Sequence, residues 1–151
     1  MKIIMEIRNG VHPEDAKYYT TEKMREEFLV QNLFQDDQIK LVYSHIDRII
    51  VGGIKAAAKE LKLEAGKEIG AEYFLARREM GVINIGGAGT VEVDGEKYRL
   101  ANRDGLYLGR GSREIIFSSE DSANPAKFYL NSDPAHKKYP NKIINIKDAK
   151  P

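Results

Sequence analysis

At 151 residues, with 42% apolar and 31% charged side chains, the chain has the length and composition of one globular domain, which excludes disorder, a collagen-like repeat and a membrane-spanning bundle. The 24 Lys and Arg nearly balance 23 Asp and Glu, leaving a net charge of +1, so no overall field draws in nucleic acid or an anionic membrane surface. Cysteine is absent, which excludes disulfides, thiolate catalysis and cysteine-based metal centres, and the three histidines, His12, His45 and His136, stand far apart.

The N-terminal stretch reaches only three apolar residues in a row before Glu6 and Arg8, too few for a signal-peptide core, and no run elsewhere approaches the ~18 needed to span a bilayer. The default placement is the cytoplasm. Charge is unevenly spread: residues 137–151 hold five Lys and one Asp, net +4, and the rest of the chain carries −3. This tail, with Lys137 and Lys138 at its start, reads either as a solvated linker or as a grip for an anionic partner.

In chain order, His12-Pro13-Glu14-Asp15 predicts a short helix, with proline at its first position and acidic residues at the positive end of its dipole. Thr20 or Thr21 predicts the cap of a second helix, with Met24, Phe28 and Leu29 on one face. Residues 1–35 are therefore expected to form a helical extension. From residue 36 the period changes to two: Ile39, Leu41, Tyr43 and His45 alternate with Lys40, Val42, Ser44 and Ile46, and Ile49-Ile50-Val51 follows before Gly52-Gly53. Strand patterns recur at Leu61–Ala65, Tyr73–Leu75, Val82–Ile85, Thr90–Val93, Lys97–Leu100, Leu106–Leu108, Ile115–Phe117 and Lys127–Leu130. Asp94-Gly95 predicts a two-residue hairpin turn, since type I′ needs positive φ at both central residues. Turns are also expected at Arg103-Asp104-Gly105 and Gly109-Arg110-Gly111. So many short strands leave no room for crossover helices, and the expected fold is an all-β jelly-roll barrel over residues 36–140, with 141–151 as a polar linker.

Several clusters invite chemistry. Gly86-Gly87-Ala88-Gly89 has the glycine content of a phosphate loop, but a strand rather than a helix is expected after it, so a tight turn is the better reading. Tyr43-Ser44-His45-Ile46-Asp47-Arg48 offers a base in His45, an orienting carboxylate in Asp47 and an anion clamp in Arg48. On a continuous strand His45 and Asp47 share one face and Ser44 and Arg48 the other, which separates Ser44 from its base. The structural alternative for His45 is a half-buried sheet residue. Arg77-Arg78-Glu79 reads either as a wall for a carboxylate ligand or as a solvated strand edge. Asn131–His136 is turn chemistry around Asp133-Pro134, with His136 as a minor ligand candidate.

Glu79 and Gly86 have the spacing of the glutamate and glycine in the first cupin motif. With Glu79 fixed, the two histidine positions hold Tyr73 and Leu75, or Glu72 and Phe74 under the longer spacing. The second motif is matched only at Gly111, with Arg103, Gly109 and Glu114 at its other positions. The pattern resembles a cupin barrel without its metal ligands. Longer strings are more specific. Glu27–Val30, Tyr43–Gly53, Tyr73–Leu75, Gly81–Gly89 and Pro125–Tyr129 resemble the N-terminal half of the 4-deoxy-L-threo-5-hexosulose-uronate ketol-isomerase family, over about Arg25 to Pro140.

That resemblance implies a two-barrel, cupin-like, homohexameric enzyme of pectin and uronate breakdown. Its reaction interconverts 5-keto-4-deoxyuronate and 3-deoxy-D-glycero-2,5-hexodiulosonate, and its zinc is held by histidines and a glutamate of the C-terminal barrel. The sequence ends at Asp148–Pro151, about where the resemblance places the family's linker to that barrel, so the metal-binding half is expected to be missing and no zinc ligand carries over to this chain. An inactive structural half, prone to self-association, is the first expectation. A stand-alone barrel that holds a sugar acid with Arg48, Arg77, Arg78 and Arg103 is the alternative, and a metal-independent isomerase using His45 or Glu79 as base is a third reading.

Overall fold

Period-two burial is the rule that organises the chain. Ile39 and Leu41, Met80 and Val82, Val91 and Val93, Leu106 and Leu108, and Phe128 and Leu130 all alternate with more exposed neighbours and enter one shared core. The computed structural model describes residues 3–150; Met1 and Lys2, at the head of the expected extension, and Pro151, at the end of the expected tail, lie outside the described residues.

The elements in order are β1 (Ile3–Arg8), α1 (Pro13–Ala16), α2 (Thr21–Phe28), β2 (Gln38–Ser44), β3 (Ile50–Lys55), β4 (Leu61–Lys62), α3 (Gly66–Ile69), β5 (Arg78–Asn84), β6 (Gly89–Val93), β7 (Glu96–Leu100), β8 (Gly105–Leu108), β9 (Ile115–Ser119), β10 (Phe128–Pro134) and β11 (Lys142–Ile144), followed by a 3-10 turn over Ile146–Asp148. A seven-stranded sheet runs β1-β2-β3-β10-β5-β8-β11, and a four-stranded sheet runs β4-β9-β6-β7. All named strand pairs are antiparallel except β1 with β2. Phe117 from the smaller sheet meets Phe128 from the larger at 5.2 Å between ring centroids, a tilted aromatic contact at the centre of the layer between the sheets. The chain is thus the all-β, cupin-like jelly roll that the strand pattern predicts.

Local chemistry sets the turns. Asp94 and Gly95 have φ of 51° and 88° and join Val93 to its partner Glu96, as a type I′ hairpin requires. The glycine run at 86–89 is a tight turn leading into β6, tied down by Asn84. This fully buried amide donates through Nδ2 to the carbonyls of Gly87 (2.7 Å) and Leu100 (2.9 Å) and accepts at Oδ1 from the N–H groups of Gly86 (3.0 Å) and Lys127 (3.2 Å). His12 and Thr20 cap α1 and α2 as expected, each accepting a backbone N–H.

Several boundaries differ from the sequence reading. The expected helical extension over 1–35 begins with β1, whose Ile3 and Met5 pack on the core and whose backbone extends the larger sheet. In α2, Met24 and Phe28 are exposed, and Leu29, expected on the same face, is the exposed, extended residue that ends the helix. Tyr73–Leu75 is not a strand but a bend that drives both Phe74 and Leu75 inward. The strand expected at 61–65 is reduced to Leu61–Lys62, with one further hydrogen bond from Leu63 N–H to the Ile115 carbonyl at 2.9 Å, and α3 follows. The polar tail over 141–151 is not a free linker: β11 pairs with β8, and buried Asp104 accepts the backbone N–H of Ile146 at 2.9 Å. No helix among the described residues is long and apolar enough to cross a membrane.

Candidate functional site

At one end of the larger sheet, the β2–β3 turn, the start of β5 and the end of β10 meet. β2 ends at Ser44, whose N–H donates to the Ile49 carbonyl at 2.9 Å, and residues 45–49 form the loop to β3. Asp47 and Arg48 both adopt positive φ, 54° and 58°, a conformation that costs free energy for residues with a Cβ and persists only where the surroundings impose it. The surroundings here include Arg78, whose Nη2 donates to the Arg48 carbonyl.

Arg78 occupies an inward position of β5, in line with Met80, Val82 and Asn84, and is only 5% exposed. Its Nε donates to Ser132 Oγ at 3.1 Å and its Nη2 to the Ser132 carbonyl at 2.7 Å. The Ser132 hydroxyl in turn donates to the Glu79 carbonyl at 2.7 Å. The guanidinium carbon lies 5.6 Å from the Tyr43 ring centroid, and the His45 ring meets Tyr43 edge-on at 5.2 Å. Burial pushes the Arg78 guanidinium below its ordinary pKa, against the pull of Tyr43 and Asp133. Among the described residues Arg48, Arg77 and Arg78 form no ion pair.

A cavity of about 270 Å³ opens here, walled by Tyr43, Arg48, Ile69, Arg77, Arg78 and Pro134. Arg77 is exposed at its rim and donates to the Gly70 carbonyl at 2.9 Å. The loop that carries it is fixed from the far side: Ala135 N–H donates to the Arg77 carbonyl at 2.9 Å, and Arg110 donates to the carbonyls of Ala76 and Ala135.

The structure therefore gathers Arg48, Arg77 and Arg78 around Tyr43, with His45 against the outer edge of that ring, and leaves the other candidates elsewhere. His45 is exposed beyond the end of β2, which corrects the reading of it as a half-buried sheet residue, and the shared-face argument for Asp47 lapses because the strand stops first. Ser44 Oγ accepts the Ile46 N–H at 3.1 Å, a loop-closing role. Glu79 alternates with Arg78 and so turns to the outer face, where its carboxylate accepts the Tyr107 hydroxyl at 2.6 Å. The cupin-like spacing that singles out Glu79 thus falls on a residue directed away from the core. Arg103 lines a separate cavity of about 360 Å³ with Ile83, Ile144 and Ile146, and His136 is exposed after β10. Sequence reasoning gave no role to Tyr43 or Ser132. Their positions on the buried-face alternation of β2 and β10 were the available signal.

The described residues offer no fitting donor set for the zinc that the resemblance implies. Among the described residues no three His, Cys, Asp or Glu side chains come together, and an imidazole-rich site of the usual tetrahedral kind needs such a cluster.

Comparison with known proteins identifies relatives of the chain. The chain is 60% identical over 141 residues to the 4-deoxy-L-threo-5-hexosulose-uronate ketol-isomerase of Lachnospira eligens, covering 93% of this chain and 50% of that protein. It is 50% identical over 149 residues to the enzyme of the same name from Yersinia pseudotuberculosis, covering 97% of this chain and 54% of that protein. The chain thus spans about half the length of the curated relatives it matches. Among solved structures, the cupin domain of an XRE-family transcriptional regulator from Enterobacter cloacae matches 68% of this chain and 95% of that domain, at 17% identity and a TM-score of 0.49. The model of the KduI/IolB family matches residues 28–151, and the chain belongs to that family.

Proposed function

We propose that this chain serves a uronate ketol-isomerase as its metal-free barrel, a scaffold and assembly unit in the cytoplasm rather than the part that carries the reacting groups. The observation that carries this reading is the match, at 50–60% identity, to about half the length of proteins named as that isomerase, in a chain whose own acid–base candidates do not converge.

Moving a carbonyl to the neighbouring carbon requires a base to remove a proton, a stabilised enediolate and return of the proton. A metal such as the zinc that the resemblance implies would supply electrostatic stabilisation of that kind, and no donor set among the described residues would hold it. Here Glu79 faces outward into a hydrogen bond with Tyr107, and His45 lies at the outer edge of the Tyr43 ring, so neither is paired with an oxyanion site. The scaffold reading also makes the chain self-associating. Exposed Ile83, Ile144 and Ile146 around the 360 Å³ outer cavity supply apolar surface for it.

The test is an isomerase assay of the purified chain with 5-keto-4-deoxyuronate, with and without zinc, and with bound metal quantified on the same sample. No turnover and no stoichiometric metal are expected. Zinc-dependent turnover overturns the reading and returns His45, Glu79 and His136 to consideration as ligands. Sedimentation of the same sample as a monomer at every concentration removes the assembly role.

A further inference from the structure

The outer face of the larger sheet holds a hollow between β5, β8 and the segment after β11. Gly81 and Gly105 lie at its floor. Strand alternation turns both outward, and the pairing register sets Tyr107 opposite Gly81 and Ile83 opposite Gly105. A glycine inside a strand weakens it and is expected where a special φ or a close approach calls for one. Neither residue has a positive φ. A Cβ on Gly105 would meet nothing nearer than the Val82 carbonyl at 3.5 Å, and one on Gly81 would meet only the movable end of Asn131. The two glycines therefore leave space rather than serve the backbone. Ile83, Ile144, Ile146 and Ala149 wall that space, about 360 Å³, and among the described residues Arg103 is the one charged side chain that lines it. Arg103 has a φ of 71°, a conformation that favours glycine or asparagine, so the backbone does not account for an arginine there. Its side chain is exposed and forms no ion pair among the described residues. The adjacent Asp104 carboxylate is taken up by the N–H groups of Ala101 and Ile146, both at 2.9 Å.

We propose that this hollow binds a small monocarboxylate with a hydrocarbon body, the body lying over the glycine floor between the isoleucines and the carboxylate meeting Arg103. Apolar walls with one placed charge, around a volume of about 360 Å³, are the ordinary make-up of a small-molecule site, and a guanidinium supplies planar, charge-assisted donors that match a carboxylate. A hydroxylated acid would have to bury its hydroxyls against isoleucine without hydrogen bonds, so the fitting class is apolar. The competing occupant is a second copy of the chain, because the same isoleucines offer surface for association. A copy docked by the same face brings a further Arg103 instead of an anion, and the charge at the hollow then stays unmatched.

Calorimetric titration of the chain with octanoate, butyrate and 1-octanol tests it. Octanoate is expected to bind saturably at millimolar concentration or below. Butyrate, shorter by four methylenes, and 1-octanol, which lacks the charge, should each bind at least about tenfold more weakly. Arg103→Asn, whose new side chain tolerates positive φ, should weaken octanoate about tenfold and leave 1-octanol unchanged, whereas Ile83→Gln, on an exposed wall, should weaken both ligands, with circular dichroism unaltered in each variant. Failure of octanoate to saturate, equal affinity for butyrate, or undiminished octanoate binding in both variants overturns the proposal. Failure to saturate in a sample that sediments as an oligomer assigns the hollow to a second copy instead. None of these results bears on whether the chain isomerises 5-keto-4-deoxyuronate, so this site and the scaffold reading fail separately.

Discussion

Arg78 and Ser132 hold one another across the β5–β10 ladder: the guanidinium donates to both the hydroxyl (3.1 Å) and the carbonyl (2.7 Å) of the serine, and that hydroxyl passes a hydrogen bond on to the Glu79 carbonyl. The pairing register places Pro134 opposite Arg78 and Ser132 opposite Met80, so a long side chain from the start of β5 reaches its partner two residues along β10. A buried charge is thereby fixed at the barrel end by neutral groups only, which positions it without neutralising it.

The two residues should be energetically coupled. Ser132→Ala leaves Arg78 buried with fewer partners and is expected to cost about 1–3 kcal/mol in urea unfolding. In an Arg78→Met background the same serine change should cost much less, giving a coupling of about 1–2 kcal/mol in the double-mutant cycle. Simple additivity would mean that the hydroxyl does not support the guanidinium.

Tyr107 predicts an alkaline signature. Burial, and then its hydrogen bond to Glu79, push this phenol up to about 12. Because the folded value lies above the ordinary value of about 10, the stabilisation from neutral Tyr107 is fully present below about pH 10 and is lost as the pH rises through about 12. Tyrosinate absorbance should show a titration near pH 12 that is absent in Tyr107→Phe, and that variant should lose less stability than the parent between pH 10 and 12. Identical titration curves for the two proteins would sink this assignment.

Most strands were legible because one face is buried and the alternation is regular, as in Val91 and Val93 or Phe128 and Leu130. β1 was not, since Ile3, Ile4 and Met5 are apolar in succession and its partner is β2, more than thirty residues on. Tyr73-Phe74-Leu75 has strand-like composition, yet burying Phe74 and Leu75 together requires a bend. At the site, the residue types of Arg48, Arg77 and Arg78 announced anion chemistry. Their convergence depends on the β5–β10 register and on the positive φ of Asp47 and Arg48, which no local pattern reveals. Glu79 misled because a motif spacing outweighed the simpler fact that neighbours on a strand face opposite ways.

Asn84 closes the opposite end of the same inward row of β5. Replacing it with leucine removes all four side-chain hydrogen bonds that it makes to the backbone of Gly86, Gly87, Leu100 and Lys127, in a fully buried setting. A loss of about 3–4 kcal/mol is expected, in the range reserved for broken buried networks. A midpoint unchanged in denaturant titration would mean that water replaces the amide and that the glycine turn holds itself.

Gly87 tests how closely that turn is packed. A Cβ on this residue would overlap the carbonyl oxygen of Asn124, and backbone atoms cannot swing aside as a flexible side-chain tip can. Gly87→Ala should therefore destabilise by about 1–3 kcal/mol, as overpacking does. Gly105→Ala serves as the comparison, because a Cβ there meets only the Val82 carbonyl at 3.5 Å and Ile144 at 3.7 Å, and its effect should stay within about 0.5 kcal/mol. If the two variants unfold at the same denaturant concentration, the 86–89 turn has room to move and the glycines are there for some reason other than close approach. If Gly87→Ala alone falls, the glycine-rich run is explained by steric contact with the 124–127 segment, and a phosphate loop is not needed to account for it.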